Sequence, residues 1–332
     1  MLRPLSSALL AFFVAALALP EVARAAETDQ YYAWLYPVPD STDALTRAVN
    51  LSFETALSRV NRRGDADALS CFEVAREMTA PFFSTGYWFF VGSMKHLGFS
   101  YAPASNTEYR ERYRPVSVYR YAPTWLLGLI VPLDPTLRID GVNLGTDKLG
   151  HFFPNGQRYY ERFREEKGRG RSDQQAIESA VRFGVEQEKG ILGGLASGIF
   201  SFADLEANYQ GLRFFRALCD GDRPLLTRDE EGWRLLAPFD FRAYVNPCWD
   251  ETFNNNAYFG GLWPSVKQGL ERYCRVRARP EVTRLVESYA RRGCRSESVR
   301  LLASLRARGE VPDARRYSLD AACADLRSRG GG

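Results

Sequence analysis

Five of the six cysteines in this chain fall after residue 218, and they follow an N-terminus built for export, so the last third is expected to be tied by covalent crosslinks. Arg3 supplies a positive start, residues 8–19 form an unbroken apolar run of 12 residues, and Ala23-Arg24-Ala25 gives a small-x-small cleavage signal. Residues 1–25 therefore read as a cleaved signal peptide, with the mature chain beginning at Ala26. The apolar run is too short to span a bilayer. The later stretches at 87–91 and 125–131 are broken by Gly and Pro well short of a span, so no transmembrane segment is expected after cleavage. In an oxidising compartment Cys71, Cys219, Cys248, Cys274, Cys294 and Cys323 favour disulfides, and no two have the two-residue spacing of a zinc knuckle or redox motif. At least two bridges are expected among the five from Cys219 onward. Their odd number leaves one unpaired or reaching Cys71, and Cys71 is the expected free thiol.

The chain of 332 residues is 45% hydrophobic and 25% charged, which fits one large or two ordinary globular domains and excludes a collagen, a disordered chain or a multi-span membrane protein. A net charge of only +4 is too even for a protein that neutralises nucleic-acid phosphates. From Ser265 onward, however, 16 Lys/Arg face 8 Asp/Glu. Arg is mixed there with Glu at helical spacings, as on a solvated face; the functional alternative is attraction to an anionic envelope surface. Two histidines make a three-histidine zinc centre impossible within one chain.

Periodicity organises the rest. Leu45, Val49, Phe53, Ala56 and Val60 recur at three- and four-residue intervals, the stripe of a core-facing helix. A second helix runs over about 68–78 and ends before Pro81, and 114–119 alternates like a short strand. Thr146 caps a helix to about Lys167, Ser172 with Gln175 makes a capping box for one to about Lys189, and Ser201 with Asp204 another for one to about Leu218. The four glycines of 190–201 make that segment a loop. Residues 224–227 and 233–236 form a β-hairpin with a five-residue connection, and helices resume over 263–326 with breaks near Gly293 and Pro312. The expected fold is mainly α, an irregular helical bundle with a few short strands. It divides into a helical domain over 26–218 and a Cys-bearing basic region over 219–332.

Chemistry concentrates between residues 147 and 208. Asp147 and His151 are four apart on one helix face, where the carboxylate would orient the ring. Glu188 ends the next helix, and Asp204 and Asn208 are four apart on a third. In a catalytic reading His151 is the general base or a metal ligand, Asp147 its orienter, and Glu188 and Asp204 further ligands or the acid, with Asn208 a binding residue. His151, Glu188 and Asp204 would then hold a divalent metal, the one cofactor in prospect; phosphate-cradling, dinucleotide and Gly-x-Ser-x-Gly patterns are absent. In the competing reading the same groups are a structural polar core, with His151 in direct or one-water reach of Glu188 or Asp204 as well as of Asp147. A second polar cluster over 246–256 contains Trp249, Asp250 and Glu251. It suits a carbohydrate or peptidoglycan surface, or equally a turn-rich loop tied down by Cys248.

Asp147-Lys148 with His151-Phe152, then Glu188, Ser197-Gly198, Phe200-Ser201-Phe202, Asp204-Leu205 and Gly211 form a series that resembles the small YfiM-type envelope lipoproteins. Its closing part, Asp204-Leu205 with Ala207-Asn208 and Gly211, is similar to VanZ-like membrane proteins, which share the early Asp-Lys and His. The resemblance covers residues 147–211 and implies a shared helical core in an envelope setting. The chain lacks the lipid-attachment cysteine of the first family and the spanning helices of the second. The expected protein is thus exported to the periplasm or cell envelope and is a non-catalytic structural or binding protein, its partners an anionic envelope surface or peptidoglycan. The alternative is a metal-dependent hydrolase acting on an envelope component.

Overall fold

The computed structural model describes residues 27–84, 115–122, 133–134, 136–190, 197–259 and 261–329. The expected signal peptide and the apolar stretches at 87–91 and 125–131 lie outside the described residues, and no described helix is long and apolar enough to cross a membrane.

The architecture is mainly α. Helix α1 (Thr42–Asn61) buries Leu45, Val49, Phe53, Ala56 and Val60, the expected stripe. Helix α2 (Cys71–Thr79) is opened by a Ser70/Glu73 capping box. It ends at Thr79, before Pro81 as expected, and Pro81 begins a separate short turn, Pro81–Ser84, because a proline at the first helical position gives up only an N–H that has no partner there. Helix α3 runs as Asp147–Gly150, a π-helical His151–Asn155 and Gly156–Gly168. Helix α4 (Asp173–Lys189) has both halves of its Ser172/Gln175 box, and α5 spans Phe202–Cys219. Then follow α6 (Leu262–Leu270), α7 (Pro280–Arg292), α8 (Glu297–Ala307) and α9 (Leu319–Arg329).

The strands form two-stranded pairs. Strand β1 (Glu27–Thr28) runs parallel to β2 (Leu133–Asp134), while β3 (Thr136–Ile139) and β4 (Val142–Gly145) are antiparallel. Strand β5 (Ile199–Phe200) lies within the segment expected to be loop and pairs with β8 (Ala257–Tyr258). The expected hairpin is β6 (Leu226–Asp229) with β7 (Gly232–Leu235), but its connection is two residues, not five. Gly232 takes a φ of +111°, which lets the chain reverse that tightly. The strand expected over 114–119 is absent: 115–122 is a run of turns. Side chains take the place of a ladder there, with the Asp29 carboxylate accepting the Val118 N–H at 2.8 Å and Ser117 Oγ accepting the Tyr119 N–H at 3.1 Å.

The main core is aromatic. Phe53 stacks on Phe214 at 6.0 Å and Phe82 on Phe153 at 4.3 Å, and Phe152 meets Trp249 at 5.7 Å. Residues on both sides of position 218 build it, including Leu226, Trp233, Phe239 and Leu302. A smaller core joins Tyr31, Trp34 and Val118 to α6, Tyr273 and Cys323. Arginines of the basic final region are partly spoken for, Arg277 by Asp320, Arg292 by Asp140 and Arg315 by Asp313.

Three disulfides tie the elements together: Cys71–Cys219, Cys248–Cys294 and Cys274–Cys323. Two lie within the last third as expected. Cys71 is not free, because the fold lays α2 against the end of α5 and sets Cys71 beside the odd cysteine, Cys219. Alkylation of the denatured but unreduced chain is therefore expected to add no label by mass, and a label on Cys71 would break the assignment.

Candidate functional site

Two of the helices that carry the polar residues, α3 and α5, are brought together by glycine. A Cβ on Gly211 of α5 would fall 2.0 Å from the Phe152 carbonyl oxygen, and one on Gly156 of α3 would fall 2.5 Å from the Gly211 Cα. The two backbones touch, which no larger residue permits. The small residues of 190–198 also suit a close approach by sequence, but 191–196 lie outside the described residues. Pro154 adds a second local effect. It lacks an N–H and its ring crowds the preceding turn, and the ladder opens there into the π-helical turn. Asn155 Nδ2 thereby comes within 3.2 Å of His151 Nδ1.

At the start of α3 the Thr146 hydroxyl makes no cap bond. At the start of α5 the Ser201 Oγ accepts the Asp204 N–H at 3.2 Å, half of the expected box. The return half is supplied by another helix: the Ser201 N–H points to Glu188 Oε2 at 3.4 Å. The Asp204 carboxylate is thus released to face inward.

It faces a lysine. Lys148 Nζ lies 2.6 Å from Asp147 Oδ2, 2.6 Å from Asp204 Oδ1 and 2.6 Å from Glu251 Oε1, and its side chain is 0% exposed. The other oxygen of Asp204 lies 3.1 Å from His151 Nε2. Asn208 Oδ1 is 3.0 Å from His151 Nδ1, so both ring nitrogens are engaged. A doubly protonated ring donates to that oxygen; the turned-over amide, donating to Nδ1 instead, would suit a neutral ring. Glu251 also accepts from Asn256 Nδ2 at 2.8 Å and from Ser201 Oγ at 3.3 Å. Glu188 Oε1 and Asp147 Oδ1 have no hydrogen-bond partner among the described residues.

The electrostatics follow from burial and these neighbours. Burial alone would discharge His151, but the charge and hydrogen bond of Asp204, with Glu188 and Asp147 behind it, raise the ring to about 9. Burial works against ionised Asp204 too, yet His151 and Lys148 hold it well below the usual carboxylate range. Lys148 stays charged despite burial because Asp147, Asp204 and Glu251 surround it. Burial, with Asp204 adding, pushes Glu188 up to about 8, and burial against the pull of Lys148 brings Glu251 up to about 7. Burial, opposed by Lys148, also raises Asp147 above its ordinary value. At neutral pH two cations, Lys148 and His151, thus face ionised Asp204, with Glu188 held protonated and Glu251 near its midpoint.

The structure brings Asp147, His151, Asp204 and Asn208 together through Lys148 and the imidazole, with Glu188 bonded to the Ser201 N–H at the start of α5. It adds Lys148, which helical spacing does not assign to the site, since neighbours in sequence point to different faces. It also draws Glu251 out of the second polar cluster and into the first. Trp249 and Asp250 are 0% exposed and Glu251 6%, so these three offer no surface that a saccharide could reach. Trp249 is core, and Asp250 accepts from Tyr289 Oη at 3.0 Å. One oxygen each of Asp147 and Asp204 and one nitrogen of His151 lie within 4.8 Å of one another, close enough to hold a metal ion.

No family model, curated protein or solved structure matches the chain.

Proposed function

We propose that this is an exported, non-catalytic structural or binding protein of the cell envelope, in which the Asp147/Lys148/His151/Asp204/Glu251 cluster fastens helices α3 and α5 to the segment after Trp249. The observation that carries this is the Lys148 ammonium, fully buried and 2.6 Å from carboxylates of three different chain segments. It supplies the internal cation that so many buried acids require. Both nitrogens of His151 are taken up by protein side chains, Nε2 by Asp204 and Nδ1 by Asn208, as in a structural network. Three disulfides support an oxidising compartment, hence the periplasm or envelope.

A second reading, a metal-dependent hydrolase, is favoured by the convergence of Asp147, His151 and Asp204 and by the unpartnered oxygens of Glu188 and Asp147. Those residues fit a divalent ion only if Glu188 and Glu251 ionise to balance it, so binding would release protons. The two readings part on metal content. Protein purified without chelator is expected to carry substoichiometric zinc, manganese and iron by elemental analysis and to melt at the same temperature after chelation. One tightly held ion per chain, with a lower melting temperature on its removal, would overturn the first reading in favour of the second.

A further inference from the structure

The arginines of the basic final region divide into those held by carboxylates and those held by none. Arg277, Arg292 and Arg315 have ion-pair partners, whereas the side chains of Arg272, Arg275 and Arg279 are exposed and make no ion pair or hydrogen bond among the described residues. Helical backbone continues from α6 through Glu271 and Arg272 into a short helix, Tyr273–Val276, and on to Arg277. Tyr273 and Val276 are its buried side, so Arg272 and Arg275, three apart, share a solvent side, and Arg279 follows four residues on at the end of the run. Arg279 stands at the N-cap of α7 and makes no cap bond. A cation there is opposed by the helix dipole, so the helix does not account for it.

A fourth guanidinium joins them from another segment. Tyr273 Oη donates to the Val116 carbonyl at 2.7 Å and seats the turns of 115–122 against this run. Burial raises the Tyr273 hydroxyl, with Asp29 adding, and Arg272 and Arg120 both pull it the other way, so these two cations lie near one phenol. The Arg120 guanidinium sits 4.3 Å over the Tyr121 ring, and Tyr121 is 44% exposed. The acids of the same stretch, Glu271 and Glu281, pair with none of the four arginines among the described residues, and Asp320 is taken by Arg277.

We propose that Arg120, Arg272, Arg275 and Arg279, with Tyr121, form a docking surface for the anionic phospholipid headgroups of a membrane. Guanidinium groups without protein partners pair with phosphates, and an exposed tyrosine suits the boundary between headgroup and acyl chain. In sequence the chain runs on from Ala122 into the apolar stretch 125–131, which favours a lipid surface over another polyanion. The proposal takes its setting from the envelope reading and is independent of the role of the ionic cluster.

The test is cosedimentation of the full mature protein with vesicles of mixed phosphatidylglycerol and phosphatidylcholine, against vesicles of phosphatidylcholine alone. The expected result is binding to the anionic vesicles only, lost in about 0.5 M salt. Affinity should fall about fivefold for each of Arg272→Gln, Arg275→Gln and Arg279→Gln. Arg171→Gln, which removes an exposed charge from the loop between α3 and α4, should bind like the wild type, and equal melting temperatures would show that all four variants fold. Equal binding to neutral vesicles, binding unmoved by salt, or the same loss in Arg171→Gln as in the other three would overturn the proposal. So would capture of a single-stranded oligonucleotide without vesicle binding, which would make the patch a nucleic-acid surface. Absence of vesicle binding by the purified protein overturns this proposal alone, because the envelope reading is tested separately by fractionation of cells.

Discussion

Lys148→Met is expected to cost the folded state about 3–5 kcal/mol at neutral pH, read from urea unfolding with the disulfides intact. Methionine fills nearly the same volume, so packing is kept and the charge alone is removed. Asp147, Asp204 and Glu251 then remain together in the interior with only His151 opposite them. The acids respond by taking up protons, so the penalty should shrink as pH falls through the ordinary carboxylate values of 3.8 to 4.5, where the unfolded chain takes up the same protons. That rescue by acid separates loss of a buried counter-charge from a packing defect, which would not depend on pH. His151→Ala removes a smaller part of the network, and a loss of about 1–3 kcal/mol is expected. If Lys148→Met unfolded within about 1 kcal/mol of the wild type, the ammonium would not be the fastening that its position suggests.

How much of the fold and site is legible in the sequence depends on the distance over which each signal acts. Ser172 and Gln175 are three residues apart, and their capping box forms as the sequence predicts. The stripe from Leu45 to Val60 is a property of one helix, and it is buried as its spacing requires. The Asp147/His151 and Asp204/Asn208 spacings place four side chains on inward faces for the same local reason. What sequence cannot supply is the partner across space. Lys148 is adjacent to Asp147, where helical geometry separates faces, and only a long flexible arm returns its ammonium to the common point. Glu251 meets that ammonium from 103 positions away. Its neighbours are turn formers, which read as surface, and it is the packing of Trp249 against Phe152, with the Cys248–Cys294 bridge and the Tyr289–Asp250 bond, that holds that loop inside. Cys71 and Cys219, 148 residues apart, carry no local mark of their pairing. Only Gly211 in the resembling motif has a further cause in plain sight, since a glycine within an otherwise apolar helical run suggests a close backbone contact.

Stability is expected to fall steadily from pH 6 to pH 9, by on the order of 5–8 kcal/mol, and the sign follows from the buried groups. His151 is raised from 6.5 to about 9 in the fold, so its contribution is complete below 6.5 and is lost as pH climbs to 9. Glu188, held protonated to about 8 chiefly by burial, works in the same direction: the unfolded chain ionises it freely above its ordinary value of 4.5, while the fold resists. Glu251, raised to about 7 chiefly by burial, adds to the slope over its lower half. Across this window the folded state binds more protons than the unfolded one, and unfolding becomes easier as pH rises. The groups that face the imidazole do not reverse this. Asp204 is depressed, so its contribution is lost only as pH falls far into acid, and the raised Lys148 releases its proton only above the window. A tenfold change in proton affinity is worth about 1.4 kcal/mol, so His151 alone accounts for about 3 kcal/mol of the fall. Urea midpoints at each pH measure it, and His151→Gln, which keeps a hydrogen-bond donor but cannot titrate, should flatten the slope by that share. Wild-type and variant profiles that run parallel between pH 6 and 9 would show that the imidazole is not held charged by Asp204.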